Sequence, residues 1–354
     1  LKLFLLFALL RKVNQTHHFG ELPLKRIAIL RALGGLGDLL CVVPALRSLR
    51  AAHPHSEIVL IGLGAIEPLV RRFDRYLDTL LEFPGYPGLP EQPLQVQKIP
   101  AFFQLTQEMH FDLAIQMHGS GLITNPLTTI LGARFNAGFF IPGQYCPDET
   151  SFLPYLAQES EVRRYLRLLE FLGIPSQGEE LEFPVYEEDK QELREIHDLQ
   201  NLIKGKYVCI HPGASTPARC WSAEGFAAVA DKLARLGLSI ILTGSNHEVD
   251  LCRRVASMMK APSLNLAGRT SLGALAALLQ DTCLLVCNDT GVSHLAAALH
   301  VKSVILFTQS DPNRWAPLDR DLHRIVEPAT GIAPDNAIAQ AVDLLQKEDV
   351  YIAV

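Results

Sequence analysis

From Gly205 onward the chain alternates short apolar runs with amphipathic stretches, and this alternation constrains the fold more than any other feature. Tyr207 to Ile210, Ser239 to Leu242, Leu264 to Leu266, Cys283 to Val286 and Ser303 to Phe307 read as strands, with helices between them. Such a pattern implies an α/β domain over residues 205–334, with a parallel sheet covered on both faces. A second α/β domain is expected over residues 26–184. There Ile27 to Leu30 and Ile58 to Ile61 are strands around a helix from Asp38 to Ala52, and Leu113 to Gln116 is a further strand. Phe83 to Pro100, rich in Pro, Gly and Gln, reads as an irregular surface excursion. Residues 185–204 read as a polar, helical linker, residues 335–354 as a terminal segment with a helix from Asp335 to Lys347, and residues 1–25 as an extension.

Two strand-to-helix junctions carry chemistry. At Cys287-Asn288-Asp289-Thr290-Gly291-Val292-Ser293-His294 a strand turns directly into a helix. The first N–H groups of a helix are unpaired and its dipole is positive there, so small residues and hydroxyls at that point suit a phosphate. The same Asp, Thr and Ser also serve as ordinary helix caps. After Tyr207 to Ile210 comes His211-Pro212-Gly213-Ala214-Ser215-Thr216-Pro217-Ala218-Arg219-Cys220-Trp221, followed by a helix capped by Ser222. This loop puts Ser215, Thr216 and Arg219 at a strand's carboxyl end, where open α/β sheets bind ligands. One cation and two hydroxyls suit a diphosphate.

The ordered series PGASTPARCW, LTGSNHEVD, LNLAGRTSLGALAALL, CNDTGVSHLAAAL and FTQSDPNRWAP resembles the lipopolysaccharide heptosyltransferase family, the family 9 glycosyltransferases of the GT-B fold. ILRALGGLGDLLCVVPALRSLR is similar to that family's opening strand, glycine loop and first helix, and Glu161 to Leu169 through Ile174 to its interdomain helix. The resemblance runs from about residue 26 to 345. It implies two Rossmann-like parallel-sheet domains facing each other across a cleft, with the acceptor side on the first, the nucleotide sugar on the second, and the last helix crossing back to the first. The activity it implies is inverting, metal-independent transfer of a heptose or similar sugar from an ADP-sugar to an anionic lipid-linked saccharide. That places the protein in the cytoplasm, at the inner face of the bacterial membrane, with peripheral contact to the membrane surface.

Roles follow residue by residue. The resemblance implies that Ser215, Thr216, Arg219, Asp289, Thr290, Gly291, Ser293 and His294 hold the donor diphosphate. Glu248 matches the carboxylate that accepts the ribose hydroxyls, although a first-turn helix charge is the plain reading of that residue. Asp38, after the glycine loop Gly34, Gly35 and Gly37, matches the proposed general base. Arg163, Arg164 and Arg167 form a cationic group on an otherwise apolar helix and are candidates for an anionic acceptor; solvent-facing charge is the alternative. Cys41 stands where some members carry His, and Phe307-Thr308-Gln309 replaces a frequent Phe-Gly-Pro.

The resemblance implies no cofactor besides the nucleotide-sugar substrate and no metal. Asp319-Arg320-Asp321 has the form of a metal-binding Asp-x-Asp triplet but follows Pro317-Leu318 in what reads as a surface turn. The formal net charge of -6 gives no general footprint for nucleic acid. The seven cysteines contain no CxxC pair and lie mostly in apolar runs, as small core residues do in a reducing compartment. Leu1 to Leu10 is apolar except for Lys2, too short to span a bilayer, and suits either a packed extension or a surface-lying membrane contact. Two other classes fit less well. A catalytically silent nucleotide-sugar-binding protein would not need both Asp38 and Arg219. A nicotinamide dehydrogenase would need G-x-G-x-x-G spacing and a ribose-binding acid after the second strand, and Leu60 to Gly64 lacks that acid.

Overall fold

The computed structural model describes residues 18–200, 202–328 and 332–346. Expectations for Leu1 to Leu10 fall outside these residues. The chain divides between Glu180 and Leu181 into two compact units.

In the first unit, β1 (Arg26–Leu30), β2 (Glu57–Gly62), β3 (Thr79–Glu82), β4 (Leu113–Gln116), β5 (Phe135–Phe140) and β6 (Phe152–Pro154) form one sheet in the order β3-β2-β1-β4-β5-β6. Every neighbouring pair is parallel. β1, β2 and β4 are nearly continuous apolar runs because both faces are covered. The helix Leu36–Ala52 buries Leu39, Leu40, Val42, Val43, Leu46 and Leu49. It packs against the helix Glu161–Phe171, so the segment similar to an interdomain helix belongs to the first unit's own core. Each aliphatic side chain taken wholly out of water contributes about 1.5–3 kcal/mol.

The second unit repeats the plan. β7 (Tyr207–His211), β8 (Ser239–Leu242), β9 (Ser263–Asn265), β10 (Leu284–Asn288), β11 (Ser303–Leu306) and β12 (His323–Val326) run in the order β12-β11-β10-β7-β8-β9, again parallel throughout. Read from its own first strand this is the order of the first sheet. In each, the strand order reverses once, between β1 and β4 and between β7 and β10. Helices leave on opposite faces at such a point and open a crevice at the strands' carboxyl ends.

The segments flanking the second sheet pack within that unit. Residues 185–204, expected as a polar helical linker, fall within the second unit: the helix Glu187–Glu195 packs on the helix Leu272–Gln280, and Glu192 accepts the N–H and hydroxyl of Ser271 at 2.8 and 2.6 Å. Arg269 pairs with Asp198 at 2.7 Å. The helix Pro334–Gln346 packs on its own unit's core. Ala337, Ala341 and Leu344 are buried in the second core, which also holds Val229, Leu233 and Val304, because that face of the helix is its apolar stripe. Residues 347–354 lie outside the described residues. Among the described residues no helix is long and apolar enough to cross a membrane. Burial pushes the Cys252 and Cys209 thiols up to about 12, as expected of small core residues.

Candidate functional site

The second unit's crevice is built by β7 and β10. Asn288 ends β10 with its side chain wholly buried, accepting the N–H of Trp221 at 2.9 Å and donating to the carbonyls of Pro212 at 2.7 Å and Gly213 at 3.2 Å. One amide thereby fixes both ends of the loop after β7. Pro217–Arg219 forms a 3-10 turn, and the Thr308 hydroxyl donates to the carbonyl of Ala218 at 3.1 Å. On this pinned loop Ser215 and Thr216 are exposed and Arg219 is half-buried. Among the described residues, the guanidinium of Arg219 and the hydroxyls of Ser215 and Thr216 have no hydrogen-bond or ion-pair partner. The helix Gly291–Ala298 begins beside β10, with Thr290 extended at its N-cap position and no side-chain cap on its first N–H groups.

Two of the expected diphosphate residues do other work. The Asp289 carboxylate accepts a hydrogen bond from the Ser310 hydroxyl, and its backbone N–H donates to Leu306 at 3.0 Å. It therefore offers an anion no donor and sets the turn instead. The Ser293 hydroxyl is fully buried and donates to the Thr290 carbonyl at 2.7 Å, so it too is removed from the list of phosphate donors. His294 is buried, its ring edge-on to Trp315 with centroids 6.1 Å apart. The donors left open are Ser215, Thr216, Arg219 and the N–H groups around Thr290 and Gly291.

Glu248 is both a helix cap and a crevice residue. Its carboxylate accepts the N–H of Ser245 at 2.6 Å in a capping box. The same carboxylate lies over Gly213, where a methyl group would collide with it, and 3.8 Å from His211 Nε2. Burial holds His211 below the usual imidazole range although Glu248 acts in the opposite direction, and its Nδ1 is 3.1 Å from the Thr243 hydroxyl.

On the first unit, the crevice between β1 and β4 carries Asp38 in the first turn of the helix Leu36–Ala52. Gly34, Gly35 and Gly37 all have negative φ, and the need at Gly35 is steric: a methyl there would collide with Asp38 Oδ2. Arg31, only 2% exposed, follows β1 and donates to the Asp38 carbonyl from Nη2 at 2.6 Å and Nε at 3.2 Å. Its Nη1 donates to the Met117 carbonyl and to the Tyr165 hydroxyl, each at 2.6 Å. Desolvation keeps the Tyr165 phenol protonated, well above its ordinary range. Beside this, His118 Nδ1 accepts the N–H of Ala32 at 3.2 Å, so its proton sits on Nε2, facing Glu91 Oε1 at 3.1 Å. Burial lowers the His118 pKa and keeps the ring neutral at neutral pH.

Of the three arginines expected as acceptor candidates, Arg164 is out of reach in the core and the other two are ion-paired. Arg164 is 1% exposed and paired with Glu161, because its aliphatic stem and stacking on Tyr155 belong to the core. Arg163 is held by both oxygens of Glu179 at 2.9 and 3.0 Å, and Arg167 by both of Glu159 at 2.6 and 2.7 Å. Sequence reading missed Arg31, His118, Asn288, Thr308 and Ser310. Their signal was position alone: each lies at or just after the carboxyl end of a strand.

The sequence profile of glycosyltransferase family 9 (heptosyltransferase) matches residues 100–343. Lipopolysaccharide heptosyltransferase 3 of Escherichia coli K12 is 30% identical over 292 residues, covering 79% of this chain and 82% of that protein. A family 9 glycosyl transferase from Veillonella parvula superposes with a TM-score of 0.74 at 23% identity, over 91% of this chain and 97% of its own. Escherichia coli heptosyltransferase WaaC with ADP-2-deoxy-2-fluoro heptose superposes with a TM-score of 0.62 at 20% identity, over 90% and 99%. With the two-sheet fold, the profile match and a relative of this length in agreement, the chain belongs to glycosyltransferase family 9, the heptosyltransferases.

Proposed function

We propose that the protein is an inverting, metal-independent transferase that moves heptose from ADP-heptose to a lipopolysaccharide-core saccharide at the cytoplasmic face of the membrane. The observation that carries this reading is Arg219: a half-buried guanidinium that, like the two hydroxyls next to it, has no partner among the described residues, beside a helix N-terminus at the point where the second sheet reverses its order. Two further facts support it. The relative at 30% identity is a lipopolysaccharide heptosyltransferase, and a protein of the same fold was solved with an ADP-heptose analogue.

Each chemical demand has its residues at the crevice of one unit or the other. The bond between the sugar and ADP breaks with its electron pair going to the diphosphate, whose charge Arg219, Ser215, Thr216 and the N–H groups near Thr290 and Gly291 neutralise. Glu248 accepts the ribose hydroxyls. The acceptor hydroxyl attacks the anomeric carbon from the face opposite the diphosphate, and Asp38 takes its proton. A single displacement inverts that carbon, so one carboxylate suffices. In Asp319-Arg320-Asp321, Asp319 accepts the N–H groups of Asp321 and Leu322 at 2.9 and 3.0 Å, which supports a turn-closing role for the triplet. The silent alternative has no observation in its favour.

The test is transfer from ADP-heptose to lipopolysaccharide truncated before its heptose, in a chelator, with the product's anomeric configuration read by NMR. Inverted product without added metal is expected. No transfer, a magnesium requirement, or a retained configuration would each overturn the corresponding part of the reading.

A further inference from the structure

Arg31 is costly where it stands. A guanidinium at the end of β1 that is 2% exposed has lost nearly all its water, and every N–H needs a partner within the fold. The partners it finds are specific. Two of its nitrogens converge on the main-chain carbonyl of Asp38, at 2.6 and 3.2 Å, and a third binds the Met117 carbonyl and the Tyr165 hydroxyl, both at 2.6 Å. The guanidinium also stacks over the Tyr165 ring, 4.7 Å from its centroid. Only a planar fork serves a carbonyl, a phenol and a ring face together; an ammonium cannot.

The Asp38 carboxylate is treated differently. Its Oδ1 lies 3.6 Å from Arg31 Nη2, close enough to feel the charge but too far for a hydrogen bond. The fork grips the backbone of Asp38 and leaves the lone pairs of its carboxylate open, with Gly35 making room for it.

Behind Arg31 the contacts continue. Tyr165 donates to Glu161 Oε2 at 2.9 Å, and Glu161 pairs through its other oxygen with Arg164. Glu161 and Arg164 are 2% and 1% exposed. Two cations and two carboxylates thus run in alternation from the helix Glu161–Phe171 to the first turn of the helix Leu36–Ala52.

We propose that Arg31 is the positioning residue for Asp38, with Tyr165 and Glu161 fixing the guanidinium, so that the helix Glu161–Phe171 sets where the proton acceptor stands. This rests on the reading of Asp38 as general base. The network holds the carboxylate still without occupying it, as a group awaiting a substrate proton requires.

Tyr165→Phe removes one hydroxyl and keeps the ring under the guanidinium. With ADP-heptose and truncated lipopolysaccharide, kcat should fall about tenfold and the donor KM should stay within about twofold. Repeated in an Asp38→Asn background, the same change should cost nothing further in kcat, because there is no longer a base to position. A fall by the same factor in both backgrounds, or unchanged kcat in the single variant, overturns the inference and leaves Tyr165 as packing. Arg31→Lys guards against a Tyr165 variant that folds poorly: it keeps the charge, loses the fork, and should lower kcat with the melting temperature less affected than in Arg31→Met. If Arg31→Lys turns over like wild type, the fork has no role. Wild-type turnover by Asp38→Asn alone would instead sink the general-base reading on which the inference stands.

Discussion

Asn288 and Trp221 are joined by a buried hydrogen bond of 2.9 Å from the Trp221 N–H to the Asn288 side-chain carbonyl. Because the Asn288 amide also donates to Pro212 and Gly213, one side chain closes the loop that carries Ser215, Thr216 and Arg219. Asn288→Ala would strand one buried donor and two acceptors at a cost on the order of 3 kcal/mol. Urea unfolding should show that loss. Calorimetry should show ADP binding weakened about tenfold, since the loop must then be ordered by the ligand. Full stability with unchanged ADP affinity would mean the loop does not depend on this residue.

Arg219→Ala should weaken ADP binding about tenfold to a hundredfold, the range expected for losing hydrogen bonds from a charged donor. Titration in a chelator is the measurement. Binding equal to wild type would remove Arg219 from the diphosphate site.

Asp38→Asn keeps the shape and abolishes proton acceptance. It should reduce kcat by about 10²–10⁴ and leave ADP affinity nearly unchanged, because the two tasks belong to different sheets. Turnover within about threefold of wild type would count against the assignment.

Stability should fall with acid in a defined window. His323 is 2% exposed beside the Ser303 hydroxyl at 2.8 Å, and burial pushes its pKa down to about 4. An unfolded histidine titrates near 6.5, so between those values the unfolded chain binds a proton that the folded one does not. The contribution is therefore complete above about pH 6.5 and is lost as pH falls through about 4, amounting to about 3 kcal/mol. His118 and His211 are lowered in the same direction and add to the slope. Urea midpoints at pH 7, 5.5 and 4 measure it. His323→Gln should flatten the curve, and an equally steep variant would exclude His323 as a source.

What was legible in the sequence follows from burial. β1, β2, β4, β7, β8, β10 and β11 are apolar runs covered on both faces, and all were visible to within about a residue or two. β3 and β12 were not, because they are edge strands with exposed or half-exposed residues such as Thr79, Glu82 and Arg324. β5 was hidden by Asn136 and Gly138, whose smallness has a reason outside its own strand: the Gln116 side chain lies across it. Arg219 and Asp38 stood out as candidates because motifs carry them. Arg164 misled, since a one-dimensional reading sees a cation on a helix but not the buried Glu161 that pairs with it, just as it does not see Glu179 and Glu159 beside Arg163 and Arg167. Asn288 and Arg31 show the converse: their importance lies in partners up to 134 positions away.

Each sheet draws all of its strands from one uninterrupted stretch, residues 26–154 for the first and 207–326 for the second. During synthesis the amino-terminal half thus has every strand it needs before the ribosome has made β7. It can close around its own core vectorially, without waiting for its sibling. A parallel sheet is slow to pair and exposes sticky edges while it does so. Finishing one before starting the other limits the time in which the twelve strands among the described residues could pair in the wrong company.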